Sequence, residues 1–254
     1  MPIPFTPKPL ALFLCLATYF ISAQTPERSV LVKKIDQEIV LDGKLNEAFW
    51  QTANSADNFW QLFPTDSLKS TNETIVKIVY NDTHLLIGIE ALAVDENFIV
   101  SSLKRDFSAR TNDNVTVLFD TFRDGQNAFL FGVSAYGVQR EGLISDRGAA
   151  INGFNLTWDT KWQSECIRFK DRFVIEMAIP FSSIKYPEGS QKWGFQTYRY
   201  DLQSNERSIW TNVDQNQIPI FSFLIFLNKF TFVSHPEFEI IFLYLKRSIV
   251  LWYD

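Results

Sequence analysis

The chain has 254 residues, a formal net charge of −5 and 46% apolar residues. That length accommodates one large all-β domain or two small ones, and the apolar content is ordinary for a globular protein. A mildly acidic balance without a basic block excludes nucleic acid as the expected partner. Aromatic residues reach 15%, largely through 24 Phe, which suits strands and cores but names no function.

At the N-terminus, Lys8 precedes an apolar run from Leu10 to Ile21, and Ile21-Ser22-Ala23 offers small residues for cleavage before Gln24. Residues 1–23 therefore read as a secretory signal peptide, too short and too poorly flanked for a good membrane span; the alternative is an uncleaved anchor. Cys15 lies inside the run without small residues ahead of it, which argues against lipid attachment. After cleavage Cys166 is the only cysteine, so neither an internal disulfide nor a Cys-rich metal site is expected.

Next comes Leu41-Asp42-Gly43-Lys44-Leu45-Asn46-Glu47-Ala48-Phe49-Trp50, a strand end, a glycine turn, a short acidic helical turn and a Trp. Thr74–Tyr80 is a β-branched strand that turns at Asn81–His84 and returns over Leu85–Leu92. Asn114–Phe119 and Ala128–Ser134 form a second hairpin whose connection contains Asp124-Gly125. Gly137 marks a further turn, followed by a strand over Val138–Ile144. The stretch from Ile144 to Leu156 reads as a long surface loop, a common carrier of binding residues. Trp162–Phe169 and Phe173–Ile179 make a third hairpin. In its second strand, alternation of Phe173, Ile175, Met177 and Ile179 with Val174, Glu176 and Ala178 predicts one solvated face. Pro180 ends the ladder, Phe181–Ile184 reads as a helical turn, and strands follow at Lys192–Tyr200 and Ser208–Trp210. Many short strands without long amphipathic helices predict an all-β antiparallel sandwich with a few helical turns. From residue 217 the chain carries dense apolar runs, Ile218–Leu227 and Phe238–Leu245, too interrupted for a helical span. They read as a barrel strand, a membrane-adhering end or sequence foreign to the module, such as a frameshift product; the last is preferred.

Catalytic signatures are scarce. With only His84 and His235, there is no His pair at metal-ligand spacing and no Ser-His-Asp set, and no phosphate-binding glycine loop occurs. Glu141, Asp146, Glu165 and Glu176 could supply a pair of hydrolytic carboxylates, but they read as solvated side chains. Sugar recognition needs a flat apolar face for ring C–H groups and fixed polar groups for hydroxyls. Trp158-Asp159-Thr160-Lys161-Trp162, following the long loop, is the best such cluster, with Lys104-Arg105-Asp106 and Gln139-Arg140-Glu141 as polar candidates. The candidate ligand-binding set is Trp158, Trp162, Arg140, Asp159 and Arg105, although Trp162 reads equally well as a core residue. Trp50, Trp193 and Trp210 read as core, and Trp60 reads either way. Asp120, Asp124 and Asn127 have the spacing of calcium ligands in a turn, and equally that of a solvated hairpin loop, the preferred reading. Asn72, Asn81, Asn114 and Asn155 open Asn-x-Thr sequons that carry no message in a bacterial protein.

The Leu41–Trp50 segment resembles the opening signature of family 9 carbohydrate-binding modules. Four further segments resemble that family in order: Asp113–Thr121, Trp158–Trp162, Phe173–Phe181 and Trp193–Tyr200. Together they place a module over residues 30–216 and leave 217–254 outside it. The resemblance implies a jelly-roll-like β-sandwich that binds a saccharide without catalysis, with calcium as a structural ion. It also implies two Trp enclosing the sugar, a role transferable to Trp158 and, less directly, Trp162. The arrangement looks most like bacterial outer-membrane proteins in which this module precedes a large β-barrel, and the chain looks truncated before such a barrel. That implies an exported protein of the periplasm, outer membrane or surface of a Gram-negative cell, within a carbohydrate-catabolic system. The alternatives are a structural or gating module of a barrel protein with no sugar affinity, and part of a glycoside-degrading enzyme.

Overall fold

The computed structural model describes residues 28–148 and 153–211 in full and, beyond them, the backbone of Asn228–Phe232. The residues form two mostly antiparallel sheets packed face to face, an all-β sandwich with only short helical turns. In the first sheet β10 (Gln163–Arg168), β11 (Arg172–Pro180), β5 (His84–Leu92) and β4 (Thr74–Tyr80) lie side by side, with β2 (Ser55–Ala56) on the far edge of β4. The second sheet runs β12 (Lys192–Asp201), β6 (Asn114–Asp120), β7 (Ala128–Ser134), β8 (Gln139–Ile144) and β9 (Phe154–Asn155). Beside β12, β13 (Glu206–Ile209) pairs onward with β3 (Trp60–Phe63). The strand β1 (Val30–Lys34) belongs to both sheets: Lys33 and Lys34 run parallel to Val79 and Tyr80, whereas Val30–Val32 run parallel to Phe230–Phe232 of β14 (Asn228–Phe232). Strand β14 in turn pairs with β12. Residues 1–23, and the remainder of 217–254, lie outside the described residues.

The core between the sheets is built from the inward positions of both, among them Ile78, Ile87, Ile175, Val117, Phe119, Phe131 and Phe195. Trp193 and Trp210 lie in it, as expected. Burying an aromatic side chain of this size contributes on the order of 3–5 kcal/mol. Trp60 lies half-buried with Lys69 Nζ 3.7 Å above its ring.

Two expectations are corrected, and four strands appear that the sequence did not signal. First, β11 has no solvated face, because every residue from Phe173 to Ile179 is buried. The alternation is real, but Val174, Glu176 and Ala178 are covered from outside. The cover over Ala178 includes α1 (Ala48–Thr52), whose Phe49 and Trp50 pack in a second cluster with Val79, Leu86 and Ala178. Strands β1, β2, β3 and β9 carry too few alternating positions to register in sequence and owe their form to pairing. Second, the Ile144–Leu156 connection is not a free surface loop throughout. Asp146–Gly148 forms a 3-10 turn, and β9 returns so close to β8 that a Cβ on Gly142 would lie 2.9 Å from the Asn155 carbonyl oxygen.

Glu176 explains the Leu41–Trp50 signature. Its carboxylate accepts hydrogen bonds from the backbone N–H of Asp42 at 3.0 Å and Gly43 at 2.8 Å, and from Trp50 Nε1 at 3.2 Å. Gly43 adopts φ +76°, and a Cβ there would meet Ile167 Cγ1 at 2.9 Å. Opposite Glu176, Gly88 leaves room for Leu45 and Trp50; a Cβ would fall 2.6 Å from Leu45 Cδ2. The motif is thus a plug bonded to the middle of the first sheet.

Candidate functional site

Strand pairing decides what each candidate side chain can reach. Glu141 on β8 stands opposite Phe131 on β7, so both point to the core side of the second sheet, whereas Arg140 stands opposite Gly132 and points away. The segment from Trp158 to Trp162 crosses the core side at its β7–β8 margin. Trp158 packs on Phe129 with ring centroids 5.4 Å apart and on Phe131 at 6.1 Å, and it keeps part of its surface exposed. Trp162 stacks edge-on against Phe131 at 5.3 Å, is only 6% exposed, and donates Nε1–H to Glu141 Oε2 at 3.2 Å. Its ring is a core ring and offers no open face to a sugar. Of the paired Trp, only Trp158 retains a surface that a ligand can cover.

Around Trp158 the charges are ordered. Arg105, reaching from the segment between β5 and β6, donates Nε–H to Glu141 Oε1 at 3.0 Å and also pairs with that oxygen through Nη2. Its Nη1 donates to Gln139 Oε1 at 2.7 Å, and its Nη2 lies 3.4 Å from the Thr160 carbonyl and 3.6 Å from Asp159 Oδ1. Glu141 is fully buried, Arg105 is half-exposed and Asp159 is exposed. Burial pushes the Glu141 carboxyl up; the hydrogen bonds from Arg105 and Trp162 oppose that rise without cancelling it. The result is a guanidinium held flat by a buried anchor, with its outer edge and Asp159 presented to solvent beside Trp158.

Arg140 is not part of this patch. It is 5% exposed, its side chain lies across Gly132, and its Nη1 is 3.4 Å from the Tyr198 hydroxyl. No carboxylate among the described residues pairs with it, and Phe107 stacks at 5.8 Å. Alternation within Gln139–Ile144 could have separated Arg140 from its neighbours, but the side that faces the core becomes evident only once Glu141 is seen opposite Phe131.

The acidic loop uses its oxygens internally. Asp120 accepts from the N–H of Gly125 at 2.8 Å and of Asp124 at 3.3 Å, while Asp124 accepts from the N–H of Gln126 and Asn127 and from Asn127 Nδ2 at 2.7 Å. Burial raises the Asp120 carboxyl; at Asp124 burial is outweighed by the donors of Asn127 and Gln126, which hold that carboxyl below its usual range. The geometry is that of a hairpin loop closed by its own carboxylates, and no cluster of three metal-ligating side chains occurs among the described residues. Two of the four carboxylates weighed for hydrolysis are not the solvated side chains expected but buried and engaged, Glu176 by the plug and Glu141 by Arg105 and Trp162.

A two-sheet sandwich with a Trp and fixed charges at one margin is the frame of a binding module, and comparison with known proteins identifies which. The family model described as "Carbohydrate family 9 binding domain-like" matches residues 41–219, and the chain belongs to that family. The fold is similar to a family 9 module from Caldicellulosiruptor kristjanssonii in complex with cellotriose, at 14% identity and TM-score 0.53 over 81% of this chain and 94% of that one. The same organism's module in complex with glucose matches at 13% identity and TM-score 0.52 over 81% and 97%. A crystal structure described as a putative carbohydrate-binding protein from Bacteroides uniformis matches at 13% identity and TM-score 0.61 over 80% and 97%. No curated protein matches the chain.

Proposed function

We propose that this chain is a non-catalytic carbohydrate-binding module that holds a saccharide against Trp158. In this reading the indole covers the C–H face of one sugar ring, and the solvent-side edge of Arg105 and the Asp159 carboxylate take its hydroxyls. The observation that carries it is the family match over residues 41–219, joined to the one partly exposed Trp beside an anchored guanidinium. The relatives bound to cellotriose and glucose support a neutral sugar as the ligand class. In this reading the module is exported to the cell envelope, which the apolar segment Leu10–Ile21 supports.

Isothermal titration calorimetry with glucose and cellotriose tests the reading. Wild-type protein binds, and Trp158→Ala weakens binding about tenfold or more, equal to roughly 1.4 kcal/mol, while the far-ultraviolet spectrum stays that of a β-sandwich. Absence of heat with every sugar on a soluble glycan panel, or equal affinity in Trp158→Ala, sinks it.

A further inference from the structure

The geometry points to a second saccharide subsite in a cleft along β10, so that the ligand is an oligosaccharide running from Trp158 toward His84. This rests on the saccharide reading above and extends it to ligand length. The cleft lies between the edge strand β10 and the turn joining β4 to β5, and has a volume of about 690 Å³. That falls within the roughly 300–1,000 Å³ occupied by small-ligand sites. Ile39 and Leu41 give it apolar surface, and Glu38, Glu165, Gln163 and His84 surround them with hydrogen-bonding groups. No Lys or Arg lines it, so phosphate or carboxylate ligands find no counter-charge there. Apolar patches for C–H faces, with carboxylates, a carboxamide and an imidazole for hydroxyls, are the chemistry of a neutral saccharide site.

Two details show that the polar groups are held in place. The Thr83 hydroxyl donates to Asn81 Oδ1 at 3.1 Å and lies 2.7 Å from His84 Nδ1. That contact turns the Nδ1 edge of the ring toward the turn and leaves the Nε2 edge to the cleft. Among the described residues nothing occupies Nε2. The second detail is Gln139, which borders both surfaces. Its Oε1 accepts from Arg105 at 2.7 Å and its Nε2 donates to Ser164 Oγ at 3.0 Å, and Gln139, Trp162 and Ser164 all line the cleft. An ion pair and two hydrogen bonds, Asp159–Arg105–Gln139–Ser164, therefore lead from the Trp158 patch to the cleft wall.

The test uses glucose and cellotriose as probes on the full chain, read by calorimetry and by nuclear magnetic resonance of the imidazole and indole N–H groups. The chain has two histidines, so His84 is readily assigned. Cellotriose is expected to shift both the Trp158 indole and the His84 imidazole, and glucose the indole alone. Glu38→Ala with Glu165→Ala, at two exposed positions, is expected to weaken cellotriose about tenfold and leave glucose unchanged. Cellotriose binding that shifts Trp158 but not His84, or that the double variant does not weaken, overturns the subsite and spares the saccharide reading. If neither sugar shifts Trp158, the saccharide reading falls and the subsite falls with it.

Discussion

Glu176 makes a strong quantitative claim on this fold. Replacing it with Ala orphans three donors at once, the N–H groups of Asp42 and Gly43 and Trp50 Nε1–H. Each unsatisfied buried donor costs about 1–3 kcal/mol, and water entering the vacated space recovers part, so a loss of about 4 kcal/mol is expected. Glu176→Gln is the informative companion. Its single carbonyl oxygen can replace Oε2 toward Asp42 and Gly43, but its NH₂ then faces Trp50 Nε1–H, so about 1.5 kcal/mol is lost. Urea unfolding followed by circular dichroism measures both. With a slope of about 2 kcal/mol per molar, the Ala variant should unfold about 2 M earlier. The pH dependence has a definite sign. Burial raises the Glu176 carboxyl, the donors from Asp42, Gly43 and Trp50 opposing and Glu47 adding to the rise. A raised carboxyl favours folding most fully below its unfolded value, and that contribution is lost as pH rises through the folded one. The advantage of wild type over Glu176→Gln should therefore shrink across that window and then level off. An Ala variant within 1 kcal/mol of wild type (on the scale of a single buried hydrogen bond) would refute the plug.

Gly43→Ala should destabilise by about 1–2 kcal/mol, since the residue needs φ +76° and its Cβ would press on Ile167; differential scanning calorimetry would show a melting point lower by several degrees. Arg105→Ala leaves the buried Glu141 carboxyl with Trp162 as its remaining side-chain donor and raises that carboxyl further. Because Arg105 is half-exposed, the cost should be about 2 kcal/mol, below that of a fully buried pair. Its urea midpoint should fall more steeply than that of wild type as pH rises above the usual carboxylate range. Cys166, whose thiol burial pushes up to about 12, should resist iodoacetamide at pH 8 in the folded protein and react once unfolded. Peptide mapping after a timed pulse reads this directly, and equal labelling in both states would contradict the assigned environment.

The strands most legible in the sequence were those with unbroken β-branched or alternating runs. Thr74–Tyr80 and Ala128–Ser134 appear with the bounds read from sequence, because turn residues bracket both. Ser55–Ala56 and Phe154–Asn155 could not be read, since two residues have no period and form strands only where a neighbour offers partners. Solvation of β11 was misread for a related reason: alternation reports two different faces, but not whether a distant helix covers one of them. At the candidate site, Trp158, Asp159 and Arg105 come together, although more than fifty residues separate Arg105 from the Trp segment. The sequence suggested chemical types for that meeting but not the alternation that turns Arg140 away, nor the cleft, whose lining is gathered from five separate stretches.

The pairing order has a consequence for how the molecule is made. The centre of the first sheet joins His84–Leu92 to Arg172–Pro180, and that of the second joins Asn114–Asp120 to Lys192–Asp201. Neither sheet can close on a nascent chain until nearly the whole domain has been synthesised, and such long-range pairing is slow to nucleate. The early hairpin Thr74–Leu92 must wait with one edge and both apolar faces uncovered. A chaperone that binds apolar strands, or a protease that cuts open ones, therefore has its longest opportunity before β11 arrives, and a chain stopped before residue 172 should be recovered as aggregate rather than as half a sandwich.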